Sequence, residues 1–193
     1  GSEMCIRDRH CSGWLRLFNL IFPQERFFSM QVRYEKLGRE NARPVMEIFN
    51  DYIEHGTAAF ADAPLPEASF SMLLEKTVGY PAYAVVDASA GNVVGFCWLS
   101  AYAPVASFRK TAKITSFIAR DHVGKGIGKQ CLDQLEADAR QMGIENIIAE
   151  ISSENRGSLK FHASNGFAFC GELKNIGYKL NRSFGVVYMQ KTL

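Results

Sequence analysis

The sequence predicts one domain of the mixed α/β class, also described as α+β, with strands and helices layered around a single core. Three observations predict it. The chain has 193 residues, 47% hydrophobic and 22% charged, enough for one packed core and not for two. Apolar residues switch repeatedly between helical and strand spacing from Met30 onward. One amphipathic helix, Gly126 to Met142, stands directly behind a strand and a glycine-rich loop.

The first 29 residues are set apart. Gly1-Ser2 resembles a tag scar, and Glu3 to Cys11 has neither periodicity. Trp14 to Phe22 is apolar, yet Arg16 and Asn19 interrupt it and no small-residue cleavage site follows before Gln24-Glu25-Arg26. This leader reads as non-native or mis-annotated sequence, able to lie as a helix on a domain of residues 30–193.

Within the domain, Gln31 to Lys36 alternates as a short strand. Asn41 to His55 places Val45, Ile48, Phe49, Tyr52 and Ile53 on a helical stripe, and Gly56 stops it. Ala58 to Pro66 reads as a loop, and Glu67 to Thr77 as a second helix carrying Phe70, Leu73 and Leu74. Strands follow at Ala82 to Asp87 and Val93 to Ser100, joined by the turn Ala90-Gly91-Asn92. After a loop from Ala101 to Arg109, Ala112 to Ala119 is rich in β-branched and aromatic residues, as a strand requires. The helix from Gly126 stacks Ile127, Cys131, Leu135, Ala139 and Met142 on one face and ends at Gly143. Asn146 to Ile151 is a strand, Asn155 to Ser164 a short helix, and Phe167 to Leu173 and Phe184 to Gln190 the last strands. There is no repeat and no linker.

Composition narrows the function. The net charge of +2 gives no footprint for nucleic acid or an anionic membrane, and no apolar run approaches the roughly 18–20 residues that span a bilayer. The five cysteines form no CxxC pair. Cys97, Cys131 and Cys170 fall in apolar patterns, so a metal site is not expected, and reduced thiols suit a cytoplasmic protein.

The chemistry concentrates in Ile114-Thr-Ser-Phe-Ile-Ala-Arg-Asp-His-Val-Gly-Lys-Gly-Ile-Gly-Lys129. Glycines at 124, 126 and 128 remove side chains where a ligand must approach the backbone. Free amides at the helix start and the helix dipole make a pyrophosphate site, with Lys125 and Lys129 adding charge. The Walker pattern fails, because the spacing from Gly124 is one residue short and Gln130 replaces the magnesium-holding Ser or Thr. The dinucleotide pattern GxGxxG fails as well, its third glycine coming too early.

Val123-Gly-Lys-Gly-Ile-Gly128 resembles the acetyl-CoA loop of GNAT acetyltransferases, in which Gln or Arg, two variable residues, Gly, one variable residue and Gly or Ala follow in order. Downstream, Asn155, Ser158, His162 and Gly166-Phe167 fit N-x-x-S-x-x-x-H-x-x-x-G-F. With Gly177-Tyr-Lys179, Met189-Gln190 and Ile48-Phe-Asn50-Asp-Tyr52, these resemble the phosphinothricin and methionine-sulfoximine acetyltransferase branch. The resemblance covers Met30 to Gln190. It implies a mostly antiparallel sheet of about six or seven strands, helices on both faces, and strands that splay after the fourth.

It also implies the site. Phe117 and Ile118 would present backbone groups to the pantetheine arm and acetyl carbonyl of acetyl-CoA. Val123, Gly124, Lys125, Gly126, Ile127, Gly128 and Lys129 would hold the diphosphate, and Asn155 and Ser158 would meet the pantetheine. Asn50, Tyr52, Thr57, Phe60, Phe108 and Arg109 would wall the acceptor pocket, closed by Ala58 to Pro66 and Gly177 to Phe184. His162 has two readings: acid for the leaving thiolate, or a packing and capping residue of its helix.

Three departures stand out. Val123 replaces the usual Gln or Arg. Gly185 lies where an aspartate is usual, and Lys113 lies where the branch carries the glutamate favoured as general base. Either water deprotonates the amine, or the acceptor bears an acid group that pairs with Lys113. The expected activity is acetylation of a small-molecule primary amine in a ternary complex, by a homodimer. The alternatives are a protein or peptide acetyltransferase and a catalytically weak acetyl-CoA-binding module.

Overall fold

The third strand shows how the domain is layered. In β3 (Val93–Ala101) the side chains of Val94, Cys97 and Leu99 enter one core, while Phe96 and Trp98 enter another on the opposite face. A strand covered on both sides reads as a continuous apolar run, which Val93 to Leu99 is. The computed structural model describes residues 30–193, so the expectations for the leader lie outside the described residues.

Among the described residues, β1 (Val32–Lys36), β2 (Ala82–Asp87), β3, β4 (Thr111–Ile118), β5 (Asn146–Ser152), β6 (Ala168–Lys179) and β7 (Arg182–Thr192) form one sheet in the order β1-β2-β3-β4-β5-β7-β6. Every pair is antiparallel except β4–β5. Helices α1 (Ala42–Glu54) and α2 (Phe70–Lys76) cover one face through Val45, Met46, Phe70 and Leu73. Helices α3 (Ile127–Gln141) and α4 (Arg156–Ser164) cover the other, with Ile127, Cys131, Leu132, Leu135 and Ala139 fully buried from α3. No helix among the described residues is long and apolar enough to cross a membrane.

The expected splay is present. β4 pairs with β5 only from Thr111 to Lys113, whereas β5 remains paired with β7 through Ser152. Beyond Lys113 one edge of β4 therefore faces a gap. Its other edge is held tightly to β3: a Cβ on Gly95 would lie 2.8 Å from the Phe117 carbonyl oxygen.

One expectation fails. Gly177 to Phe184 do not form a closing loop; β6 and β7 continue as a long hairpin whose turn is Leu180-Asn181, both at positive φ (52° and 59°). Two successive left-handed residues give the turn that matches strand twist. The register shift between Leu173 and Gly177, with Asn175 also at positive φ, breaks the alternation that would have marked a strand. Gly177 stands opposite Phe184, and a Cβ there would come within 2.3 Å of the Phe184 ring. Gly177→Ala is expected to cost about 1–3 kcal/mol, the range for forced overpacking. Chemical denaturation checks it, and an unchanged midpoint would show that the ring gives way freely.

Candidate active site

Helix α3 opens on a row of unused amides. Gly124 and Gly126 have φ of +85° and +79°, a left-handed conformation that glycine adopts without a Cβ penalty. Among the described residues, the amides from Gly124 to Lys129 have no hydrogen-bond acceptor; the first bonds are Val123 N to Arg120 O, before them, and Gln130 N to Gly126 O, after them. A nest of N–H groups at a helix N-terminus concentrates positive potential on a small volume. Around Gly124 a Cβ would meet nothing within 4 Å, so the space stays open for a ligand. Gly128 instead lets α4 approach, with the Phe161 ring 3.6 Å from where a Cβ would be. The Lys129 ammonium is ion-paired with Asp133 one turn on, and Lys125 is exposed. Val123 is 60% exposed.

Backbone alternation decides which groups of β4 face the gap. Ala119 N donates to Val94 O, and Lys110 O accepts from β5 at Asn146 N. Even-numbered residues therefore turn their amide and carbonyl toward β5, and odd-numbered ones toward β3. Ser116 and Ile118 face the gap. The backbone of Phe117 is committed to β3, and its ring packs edge-on against Phe49 and Tyr52. Of the expected pair, the Ile118 backbone faces the gap and the Phe117 backbone faces β3. The Ile118 carbonyl accepts from the Tyr52 hydroxyl at 2.7 Å.

A cleft of about 230 Å³ opens beside this point, lined by Tyr52, Thr57, Arg120, Glu154, Asn155 and Arg182 among others. Arg120 lies over the Tyr52 ring at 4.7 Å and is ion-paired with Asp51. Burial pushes the Tyr52 phenol up. Arg182 forks onto Glu154 at 2.9–3.1 Å, and these bonds hold that carboxyl below its ordinary range, helped by Thr57.

The connection from α1 to α2 is tied down by side chains expected to touch substrate. Asn50 clips Leu65, accepting from its amide at 2.8 Å and donating to its carbonyl at 2.9 Å. Its side-chain amide is thus bonded to the chain itself, and Asn50 is not among the residues lining the cleft. The buried Thr57 hydroxyl bonds Ser152 Oγ at 2.7 Å. Buried Lys179 donates to Ala59 O at 2.8 Å, and desolvation lowers its pKa. Phe60 is partly exposed and stacks on Phe184. Phe108 and Arg109 sit on an exposed turn before β4, Phe108 against Tyr102 and Arg109 bonded to Ala106 O, outside the lining of the cleft.

Asn155 is the N-cap of α4, its Oδ1 accepting from Ser158 N at 3.0 Å, which leaves its Nδ2 for another partner. His162 lies one turn on, edge-on to Phe161 and Phe167. Its Nδ1 is 2.8 Å from the Ser158 carbonyl, which can only accept, so Nδ1 carries the hydrogen. Burial lowers its pKa, leaving Nε2 without a proton at neutral pH. The packing reading fits this geometry and the acid reading does not. Because the folded ring takes its proton at lower pH than an unfolded one, stability is full above about pH 6.5 and falls below it. His162→Gln should flatten that decline in melting curves between pH 7 and 5; an unchanged slope would place the titration elsewhere.

Sequence reasoning missed the partner of Lys113. Its Nζ lies 3.7 Å from Glu150 Oε1 on β5, each side chain about one-third exposed (36% and 33%). The available signal was a lone charge inside the apolar run Ile147-Ile-Ala-Glu-Ile151. At Gly185, where the resembled branch usually has an aspartate, a Cβ would lie 3.0 Å from the Leu173 carbonyl oxygen and 3.2 Å from Ser153 Oγ.

A splayed sheet with an amide nest at its mouth agrees with what sequence comparison finds. The Acetyltransferase (GNAT) family pattern matches residues 44–167, and the chain belongs to that family. It is therefore an acetyltransferase by class. It is 30% identical over 151 residues to the L-methionine sulfoximine/L-methionine sulfone acetyltransferase of Pseudomonas aeruginosa, covering 77% of this chain and 87% of that one. The phosphinothricin acetyltransferase of Sinorhizobium meliloti, solved in complex with AcCoA, superposes with a TM-score of 0.80 at 26% identity, over 85% of this chain and 89% of that one. A ribosomal-protein-alanine N-acetyltransferase from Brucella melitensis superposes with a TM-score of 0.76 at 28% identity, over 84% and 99%.

Proposed function

We propose that this protein transfers the acetyl group of acetyl-CoA to the primary amine of a small molecule, an amino acid or an analogue such as phosphinothricin or methionine sulfoximine, by direct attack in a ternary complex. The observation that carries this is the run of acceptor-free amides from Gly124 to Lys129 at the mouth of the β4–β5 gap. Those amides fit a diphosphate, with Lys125 adding charge. Ser116 and Ile118 offer backbone groups to the pantetheine arm, and Asn155 Nδ2 and Ser158 lie at the far side of the gap. When bound, acetyl-CoA supplies an activated acyl group on sulfur. The chain orients it, and hydrogen bonds to the thioester oxygen polarise the carbonyl. No metal is needed in this reading.

A small acceptor is supported by the size of the cleft and by the ties at Leu65, Thr57 and Ala59 that hold the α1–α2 connection in place. The named relatives acting on methionine sulfoximine and phosphinothricin point the same way. Thiol release with acetyl-CoA should therefore be faster with amino acids and their sulfoximine or phosphinic analogues than with peptides bearing an N-terminal alanine. The reverse order would replace the reading by protein acetylation, and acetyl-CoA binding without turnover on any amine would replace it by a binding module.

We further propose a homodimer working in the cytoplasm. Edge strand β6 exposes Phe169, Leu173, Ile176 and Tyr178 at 49–67%, apolar area that a second copy would cover. The three cysteines of the described residues are free. Light scattering showing a monomer at micromolar concentration would refute the dimer.

A further inference from the structure

The chain lacks a carboxylate on β4 where its resemblance places the base, yet it has one on the neighbouring strand. Core packing fixes the faces. Ile147, Ala149 and Ile151 of β5 and Ala112 of β4 point toward α3, so Glu150 and Lys113 share the opposite face, that of α1. Lys113 is the last β4 residue paired with β5, and its register partner is Ile148. Glu150 is therefore the first β5 side chain on that face past the point where the strands part. Two residues further on the same face, Ser152 holds Thr57 and with it the α1–α2 connection. Glu150 thus lies between the start of the gap and the wall of the cleft.

We propose that Glu150 accepts the proton of the attacking ammonium group, and that Lys113 positions its carboxylate. This rests on the acetyltransfer reading above. The groups facing Glu150 are Lys113 from β4 and Tyr188 from β7, its register partner, with Tyr102 near Tyr188. Desolvation raises the Tyr188 phenol, and the negative charge of Glu150 raises it further. The Lys113 ammonium, 3.7 Å away, holds the carboxylate on this side of the gap. Partial exposure lets the proton return to water.

The step balances. Glu150 takes one proton from R–NH3+, leaving the nitrogen lone pair. That pair forms the C–N bond to the acetyl carbon while the C–S bond breaks, its electrons staying on sulfur. The second nitrogen proton passes to the thiolate, and Glu150 releases its own to solvent. The products are the acetamide, the free thiol and one proton.

A lone surface ion pair would contribute little to anything, so the test must read chemistry and not stability. An amine of pKa about 9–10 is roughly 1% neutral or less at pH 7. Glu150→Gln should lower kcat/KM at pH 7 by about 10²-fold, within the usual range for losing a base. The deficit should shrink as the pH approaches 9, because the amine then deprotonates unaided. Acetyl-CoA affinity by calorimetry should stay unchanged. Glu150→Asp, which keeps a carboxylate, should retain the pH profile of the wild type. A Gln variant that turns over like wild type, or one whose loss is constant from pH 6 to 9, would overturn the role of Glu150 alone. A wild-type enzyme that acetylates no amine would overturn this role together with the reading it rests on.

Discussion

Gly126→Glu is expected to weaken acetyl-CoA binding by more than about 10²-fold while leaving the domain folded. Two effects combine. Gly126 is the N-cap of α3 at φ +79°, and an L-residue held there costs roughly 1–2 kcal/mol. The new carboxylate would also stand in the nest, against the charge of a diphosphate. Like unit charges about 4 Å apart at a protein surface repel by about 4 kcal/mol at an effective dielectric near 20. Each 1.4 kcal/mol is tenfold in affinity, so the electrostatic part alone exceeds 10²-fold. Gly124→Ala separates the two effects. Its surroundings are open, so only strain at φ +85° remains, and affinity should fall about tenfold. Calorimetric titration measures both, with a melting curve to confirm folding. Equal, wild-type affinity in both variants would mean that the diphosphate does not sit on these amides.

The parts of this fold that were legible in the sequence share a short-range cause. The helix behind the glycine loop announces itself through Ile127, Cys131, Leu135 and Ala139 at helical spacing, and all four are buried. The β3 run and the nest at Gly124 and Gly126 are equally local. What escaped depends on contacts between distant segments. Asn50 was assigned to the substrate, but whether its amide faces a ligand or its own chain depends on where Leu65 arrives. The β6–β7 hairpin hid behind its bulge and exposed apolar residues, which mimic a loop because no core face alternates. That the Phe117 backbone faces β3 was not legible, because the direction of a carbonyl follows from strand register, set by Ala119 and Val94. The pairing of Lys113 with Glu150 needed the parallel alignment of β4 and β5. His162 shows a further limit: a motif position fixes the residue type, while the Ser158 carbonyl fixes which nitrogen is protonated.

Phe96→Ala should be among the most destabilising single changes, at about 3–5 kcal/mol by urea unfolding. Phe96 is fully buried and stacks on Trp98 at 5.3 Å, meets Phe117 at 5.4 Å and touches the Phe49 ring edge at 6.2 Å. Phe117 in turn contacts Phe49 of α1 at 5.3 Å and Tyr52 at 5.1 Å. The aromatic layer therefore joins β3 and α1 to the stretch of β4 beside the gap. A hole at position 96 removes the support on which Phe117 rests, and Phe117 lies between Ser116 and Ile118, the two residues turned toward the gap. Stability and donor binding should fall together: a loss of several kcal/mol, a large share of the 5–15 kcal/mol typical of a domain, accompanied by a raised KM for acetyl-CoA. Phe96→Leu, which keeps most of the volume, should cost under about 1.5 kcal/mol and leave KM near its original value. If Phe96→Ala cost stability without moving KM, the aromatic layer would support the sheet but not the alignment of β4, and the gap would owe its shape to the β3–β4 ladder alone.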